Sequence, residues 1–594
     1  MIETMKKVTI ACLASERQAT VTAMQRLGTV HVTPLVAPSS DELDHLLREQ
    51  ENLGRVLTTF KSMKIRADDV ETDPAASLAE IQEIFVARKQ LEEELALATR
   101  ACAQLEPWGS FDQETLANLE QRGIHVALCT SVPGRFPELP EGAAIAVVSE
   151  TKSAVHYAVV STTPLDDVVL PRATLPAQTN LREWQETAEK LRQDLQERQE
   201  RLTTLAEHSM QSLEKYAAKL EENIAFAKAR DGMADRKAIA FLGGYVPEKH
   251  LDELREAARE NGWAIRYEDI ADDDENVPTS LIIPPRFAMA KAIFDFVGIL
   301  PGYREIDVSV SVLIFLSIFC GMLVGDAGYG LLFTGILLYL KKRLGDADPA
   351  KRQVLNLGLC MSLCILGYGW LTGNWFALPA EKLPRILRGL PWLSDPAYSE
   401  TNVKLLCFFI GAFHMSMARA WRAYLAGGLR DALGHVGWGL FLWGNFFLAK
   451  VLVVDGGGFG DLSIFAKCLY VVGFLTIMIF GVDWKDMGTV IYLPFSFINS
   501  FVDVLSYIRL FAVGLSSLYI AQSFNQMAGQ LYSLSPWMIP VMLLLLAGGH
   551  ALNIALATMG VLVHGIRLNT LEFSGHMDLS WSGKPYRPLR KTEV

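Results

Sequence analysis

The sequence predicts a two-part chain: α/β lobes joined by an antiparallel coiled coil, a dumbbell, followed by an all-α membrane domain of eight transmembrane helices, the final two long and tilted. Three observations carry that expectation. Charged residues are dense up to about residue 290 and then thin out, so that Val308–Leu340 holds only Asp326 and 353–380 holds none. Apolar stretches of that length belong in a bilayer. Two charged helical stretches, 41–105 and 181–231, flank a β-rich patch. Strand-helix-strand patterns bracket the whole N-terminal half.

The first such pattern runs through KVTIACL, ERQATVTAMQRLG and TVHVTP, and the second through KAIAFLGGYVP, HLDELREAARENG and WAIRYEDI. Together they make one lobe, 1–36 with 236–290. The patch IHVALCTSV, AAIAVVSE and HYAVVST makes a second lobe, 106–175. The arms 41–105 and 181–231 become near-equal once a break near Asp68–Pro74 is removed, as a hairpin demands. At 1.5 Å per residue they reach roughly 75 to 80 Å. A compact helical domain with solvated charged faces is the competing expectation. The domain therefore spans 1–295. The start, MIETMKKVTIACLASERQ, has an apolar run too short for a signal peptide, which places this half in the cytoplasm.

The eight cysteines show no C-x-x-C pair, and Cys360 and Cys364, one helical turn apart, read as core. A reduced compartment with no metal follows. No phosphate-binding glycine loop and no H-E-x-x-H is present, so no catalytic residue and no cofactor is assigned, and any ATP turnover belongs to other chains. A net charge of −11 argues against nucleic acid as a partner.

The membrane domain is expected over 305–576, with a cytoplasmic tail at 577–594. Its apolar segments fall at about 308–324, 327–340, 353–378, 403–424, 432–454, 462–482, 495–533 and 537–573. Charge decides whether the first two are one span or two. With two, and a cytoplasmic N-terminal half, the inside loops and tail carry Lys341, Lys342, Arg343, Lys351, Arg352, Arg419, Arg422, Arg430, Lys485, Lys584, Arg587, Arg590 and Lys591. The outside loops carry Lys382, Arg385, Arg388 and Lys404. One span would put the basic 341–352 loop outside. Eight spans with both termini in the cytoplasm follow, and Asp326 in GDAGYG sits at the turn between the first two.

From Gly488 to Met577 the only formal charges are Asp503, Arg509, Arg567 and Glu572. An arginine in hydrocarbon costs at least about 2.5 to 3.5 kcal/mol and points to function. It cannot shed its proton. The turn between the last two spans lies near Leu534–Pro536, and roughly 38 and 46 Å of helix bring both arginines to similar depth. The face of Arg509 includes Leu505, Ser506, Val513, Ser516, Ile520 and Ser523, and that of Arg567 includes Gly549, Asn553, Leu556, Gly560, Val563 and His564. Such small-residue stripes suit close passage of another helix. Asn499 and Asp503 lie further round, where they line a water path. An internal ion-pair lock of the arginines with Asp503 and Glu572 is the competing account. Asp503 and Glu572 lie about 120° and about 140° round their own helices from Arg509 and Arg567, so neither pairs easily within its helix. His564 reads equally as packing or as a proton relay.

The segments SYIRLFA (506–512), GGHALNIALATMGVLVHGIRLNTLEF (548–573), GDAGYG (325–330) and LTGNWFAL (371–378) resemble the membrane stator subunit, subunit I or subunit a, of rotary vacuolar/archaeal-type ATPases. The start of the chain, the GGYVP at 243–247 and the VPTSLIIPP at 277–285 extend the resemblance over nearly its whole length. It implies that Arg509 faces a rotor ring of carboxylate-bearing subunits, that Arg567 matches the last-helix arginine, and that Asn499, Asp503, Asn553, His564 and Glu572 match polar positions. It also implies peripheral stalks as partners of the N-terminal domain, an ATPase head coupled indirectly, and two half-channels carrying protons or sodium across a prokaryotic cell membrane. Two departures stand out. Val308 replaces a frequent proline, and EFSGHMDLSWSGKPYRP replaces a more aromatic EFFxKFYxGxG ending. A secondary transporter binding an anion at the two arginines is the alternative, and the first six segments hold no second copy of either motif.

Overall fold

A computed structural model gives the fold, and it describes all residues except 1, 64, 66–71, 110, 112, 134–135, 138–141, 152–153, 166–169, 177–178, 345–348 and 592–594. Most of the break expected at 68–74, part of the 341–352 loop and the chain's last residues lie outside the described set. The chain divides into two compact units, one of Val8–Gly244, Asp252–Arg266 and Pro588–Val594, the other of Met1–Lys7, Tyr245–Leu251 and Tyr267–Arg587.

The first unit opens within β1 (Met5–Leu13), of which it takes the part from Val8, and goes on with α1 (Arg17–Leu27), β2 (His31–Thr33), α2 (Asp41–Met63), α3 (Pro74–Leu105) and α4 (Gln113–Gln121). It continues through β3 (His125–Ser131), β4 (Ala144–Glu150), β5 (Val155–Ser161), the long α5 (Leu181–Asp231), β6 (Ala234–Arg236), β7 (Ile239–Pro247), α6 (Leu251–Asn261) and β8 (Ala264–Glu268). The outer strands join in the order β2-β7-β1-β8, with β6 on β7, so the two predicted strand-helix-strand units share one sheet. Gly243 and Gly244 let β2 approach, since a Cβ on them would meet Leu35 at 2.7 Å and the His31 carbonyl at 2.6 Å. The middle patch forms a separate antiparallel sheet, β3-β5-β4, over Ala127, Cys129, Val155, Tyr157 and Val159.

Helices α2 and α3 pack in succession along α5. Glu42 pairs with Arg230, Glu49 with Tyr216, Lys61 with Glu214, Thr72 with Ser212 and Glu80 with Arg201, so the partner number falls as the chain advances and the packing is antiparallel. Leu43, Leu53, Val56, Phe60, Ile81 and Ile84 meet Leu202, Leu213, Leu220 and Ile224 in a continuous buried seam. At the end of α5, Asp231 accepts hydrogen bonds from Arg230 Nε (2.7 Å) and Ser40 Oγ (2.5 Å). The Arg230 guanidinium holds its carboxyl below the usual carboxylate value. A depressed folded value means stability that is present above the unfolded pKa and is lost as pH falls through the folded one. Asp231→Asn is therefore expected to lower the stability of this unit by about 1 to 2 kcal/mol at neutral pH. The gap to the parent protein should close below about pH 4. Protease resistance measured against pH on both proteins checks this, and a gap independent of pH would exclude the charge as its cause.

The second unit holds β9 (Pro278–Thr279), α7 (Ala290–Val297), α8 (Ser309–Val324), α9 (Ala327–Leu344), α10 (Pro349–Thr372), the single turn α11 (Pro391–Ser394), α12 (Ser399–Leu425), α13 (Leu429–Ala449) and α14 (Ile464–Thr476). It ends with α15 (Met487–Ser506), α16 (Ile508–Leu534), α17 (Ile539–Gly560), α18 (Ser574–Met577) and β10 (Lys584–Pro585), the last pairing with β9. Among the described residues six helices are long and apolar enough to cross a membrane: 350–372, 399–425, 429–454, 464–481, 490–533 and 539–577. The other two expected segments are helical but fall short of that standard. Ser309–Val324 has 16 residues, and Ala327–Leu344 ends on Lys341, Lys342 and Arg343.

Those two are separate helices of opposite direction. Along α10, Cys360 meets Ser317 and Cys364 meets Gly321, whereas Gly358 meets Leu337 and Leu366 meets Gly330. The reversal falls at Gly325, whose φ of +63° suits glycine, and at the buried Asp326. Asp326 Oδ1 accepts from the backbone N–H groups of Gly328 (2.7 Å), Tyr329 (3.2 Å) and Phe376 (3.0 Å), while Oδ2 accepts from Ala377 (3.1 Å). One carboxylate thus caps α9 and clasps Phe376 and Ala377, both at positive φ, which brings the GDAGYG and LTGNWFAL motifs together. The shared core includes Phe319, Phe408, Met415, Leu442, Tyr507 and Leu510.

Candidate functional site

The penultimate helix is interrupted at Tyr507. There the ladder passes through i to i+3 hydrogen bonds, Tyr507 N to Val504 O (3.3 Å) and Leu510 N to Tyr507 O (3.1 Å). The Ser506 carbonyl at this joint accepts from Arg509 Nε at 2.9 Å. Tyr507 is fully buried and fixes the joint. Its hydroxyl bonds His414 Nδ1 at 2.8 Å, and its ring lies where a Cβ on Gly411 would stand. His414 in turn is stacked between Phe315 and Phe573, with centroids 3.7 and 4.3 Å away. Backbone and aromatic packing therefore aim Arg509 before any charged partner is considered.

That partner is Glu572, which Arg509 Nη2 contacts across the two helices. Glu572 is buried, and Arg567 Nε lies 3.5 Å from the same Oε1. One carboxylate oxygen thus lies near both arginines. The pairing of Arg567 with Glu572 within one helix departs from the expectation of about 140° separation on a regular α-helix. Val561–Gly565 and Leu568–Phe573 are π-helical, and the i to i+5 repeat of such turns brings residues five apart onto one face. Glu572 thus gives Arg509 a charged partner from the neighbouring helix. Arg509 is the more enclosed, at 21% side-chain exposure against 54% for Arg567. Among the described residues Glu572 Oε2 has no hydrogen-bond partner.

The remaining candidates separate into distinct places. Asn499 and Asp503 line a cavity of about 690 Å³ together with Arg419, Trp438, Tyr492, Ser496, Ser500 and His576. Asp503 does not pair with Arg509. Its Oδ2 lies 3.1 Å from His576 Nε2, and Arg419 Nε donates to His576 Nδ1 at 3.1 Å. Ser516 is exposed, and its hydroxyl is spent on the Ala512 carbonyl (2.8 Å). Ser506 contributes its carbonyl, as described. Asn553 is buried away from the arginines, donating to Tyr329 Oη and accepting from Ser517 Oγ, both at 3.1 Å, and Tyr329 Oη reaches His550 Nδ1 at 2.6 Å. His564 lies half-buried on the last helix, with no partner for Nδ1 among the described residues.

Sequence reasoning missed His576, His414, Tyr507 and Arg419. The first stands in the segment set aside as a divergent ending, and the last was counted as a loop cation although it lies within α12. A histidine four residues past Glu572 was the available signal for His576.

Among the described residues, six helices long and apolar enough to cross a membrane, with an ion pair between the penultimate and the last of them, define the class: an α-helical membrane protein. Its homologues are V-type and A-type ATP synthase subunits I. V-type ATP synthase subunit I 1 of Treponema pallidum is 28% identical over 637 residues, covering 100% of both chains. V-type ATP synthase subunit I of Borreliella burgdorferi is 32% identical over 382 residues, covering 61% of this chain and 62% of that protein. A-type ATP synthase subunit I of Archaeoglobus fulgidus is 28% identical over 400 residues, covering 59% and 58%. A solved cytoplasmic N-terminal domain of subunit I, a homolog of V-ATPase subunit a, matches 44% of this chain and 100% of its own at 17% identity with a TM-score of 0.22. No family model matches the chain.

Proposed function

We propose that this chain is the membrane stator subunit of a rotary V/A-type ATPase, in which Arg509 meets the carboxylates of a rotor ring while protons or sodium pass through two half-channels. The observation that carries this is Arg509 itself: a permanent cation held at a helix joint, with Nη1 unused by any hydrogen bond among the described residues and a replaceable partner in Glu572. A ring carboxylate facing lipid must be neutral or ion-occupied, because ionising it there is costly. Beside Arg509 its charged form is stabilised and the ion leaves. Glu572 holds the guanidinium between such encounters, so the arriving carboxylate exchanges with an existing ion pair and the arginine is never left bare in a poorly hydrated place. The cavity lined by Asn499 and Asp503 supplies the water path from one side, and the arginine blocks a direct leak between the two paths. Arg567 adds a second cation beside Glu572 and Ser506 gives its carbonyl to Arg509, while Asn553, His564 and Ser516 are further polar positions along the two helices.

The N-terminal domain, 1–295, would resist torque by holding peripheral stalks, with its long helices as the arm, while ATP is turned over in the head. Eight spans with both termini in the cytoplasm complete this account. Purification in mild detergent tests it: the chain should elute with a ring of small helical-hairpin subunits and with ATPase activity, and elution alone at full yield would contradict it. Topology has its own test. A cysteine placed within 455–461 should label from outside the cell and one within 344–350 only from inside, and outside labelling of the second would mean that α8 and α9 do not both cross.

A further inference from the structure

One end of the second unit gathers cations around an exposed aromatic ring. Along α10, residue numbers rise together with those of α8 (Ser317 with Cys360, Gly321 with Cys364) and run against those of α9 (Leu337 with Gly358, Gly330 with Leu366). The start of α8, the end of α9 and the start of α10 therefore share that end. Lys341, Lys342 and Arg343 close α9, Lys351 and Arg352 open α10, and all five are exposed. Lys341 Nζ donates to Asn356 Oδ1 at 2.8 Å, which ties the two groups together. α7 lies against the same end. Its Ala290, Ile293 and Phe294 are buried with Val312, Leu313 and Leu316 of α8, and Leu357 and Met361 of α10 join that cluster. Those two α10 residues lie roughly 8 to 15 Å further along the helix than Lys351 and Arg352. The other side of α7 presents Lys291 and Phe296, the latter 71% exposed. Val354 of α10, 58% exposed, falls at 100° per residue between Gly358, which meets α9, and Met361 in the α7 cluster. The surface between α7 and α9 is thus cationic toward the helix ends and apolar deeper in. Acids here are fewer. Asp307 accepts from the Ser309 N–H at 3.0 Å, and Glu305 from the N–H groups of Gly302 (2.7 Å) and Ser580 (2.6 Å). Asp295 is exposed on α7, and the segment 345–348, outside the described residues, adds Asp346 and Asp348 in sequence, which leaves six cations against three acids across α7 and 341–352.

We propose that this surface binds an anionic phospholipid, its phosphate among the cations of α7, α9 and α10 and an acyl chain along Phe296 and Val354. The order of the groups is the one such a molecule requires, with charge at the helix ends and apolar contact about one to three turns deeper. A cluster of about four to eight Lys and Arg residues beside a spanning helix attracts acidic headgroups, each cation adding to the affinity. An apolar anchor combined with a basic patch holds a lipid surface where either alone does so weakly. If these cations served only to orient the chain in the membrane, neither Phe296 nor the headgroup would matter to them. The inference goes beyond the stator reading and needs only that α10 crosses a bilayer with α8 and α9 beside it.

Titration of the purified full-length chain, together with any subunits that elute with it in mild detergent, with a chain-labelled phosphatidylglycerol tests this. Binding should saturate, unlabelled phosphatidylglycerol should compete at least about tenfold better than phosphatidylcholine, and inorganic phosphate should not compete. Lys291→Gln, Lys342→Gln and Arg343→Gln combined should weaken binding at least about tenfold, while Lys341 keeps its bond to Asn356. Phe296→Ser, at a surface position that leaves the packed side of α7 untouched, should weaken it at least about threefold. That variant carries the test if the triple one is not recovered. Equal competition by phosphatidylcholine overturns the proposal in favour of a lipid contact without headgroup preference, and displacement by inorganic phosphate overturns it in favour of a free-anion site. Unchanged affinity in either variant overturns it outright.

Discussion

Arg509→Ala is expected to abolish ATP-driven ion pumping while the complex still assembles. The substitution removes the guanidinium that stabilises an ionised ring carboxylate and leaves Glu572 buried beside the less engaged Arg567. Loss of one partner from a buried pair costs about 3 to 5 kcal/mol. For the ring carboxylate, loss of a neighbouring guanidinium raises its pKa by about 1 to 3 units, or about 10- to 1,000-fold in its ionisation at the stator. Arg509→Lys should also fail, because an ammonium cannot bond the Ser506 carbonyl and Glu572 together in one planar fork, and it can be deprotonated when desolvated. Near-normal proton or sodium uptake by either variant would remove Arg509 from the mechanism. Tyr507→Phe offers a milder companion result: the ring still fills the space beside Gly411 while the bond to His414 is lost, so pumping should fall without loss of assembly.

The second large effect separates the two arginines. Arg567→Gln should reduce pumping less completely than Arg509→Gln, because Arg567 is the more exposed and stands 3.5 Å from Glu572, at the edge of a charge-assisted hydrogen bond. Its removal leaves the Arg509–Glu572 pair intact. Flux and ATPase rate measured for both variants in matched vesicles, normalised to assembled complex, decide the ranking. A dead Arg567→Gln beside a coupled Arg509→Gln would move the site of ion release to the last helix.

Much of this arrangement was legible because it rests on composition and period. The apolar blocks, the two arms and the two β-rich patches each follow from local patterns, and among the described residues the structure has helices or strands at each. Legibility ended where geometry leaves the regular helix. The 100° periodicity that set Glu572 apart from Arg567 does not hold across Leu568–Phe573, because π turns leave no mark on a hydropathy pattern. The joint at Tyr507 is equally silent, since Ser506, Tyr507 and Ile508 carry no proline or glycine, and only His414 and Gly411, far away in sequence, explain why the helix is interrupted there. The Asp503–His576–Arg419 line joins three separate helices, which no single-sequence periodicity can pair. The six longer segments are helices long and apolar enough to cross a membrane, whereas α8 and α9 fall below that length and apolarity.

The central claim is that the Arg509 face of the penultimate helix meets the rotor ring. Ser516 is exposed on that face two turns beyond Arg509. Oxidative cross-linking of Ser516→Cys to a cysteine placed beside the ring carboxylate, in the intact complex, tests it most directly. The account predicts a disulfide to the small ring subunit that stops ATP-driven pumping until a reductant is added; an assembled complex that forms no such bond, or one that pumps at full rate while cross-linked, would contradict it.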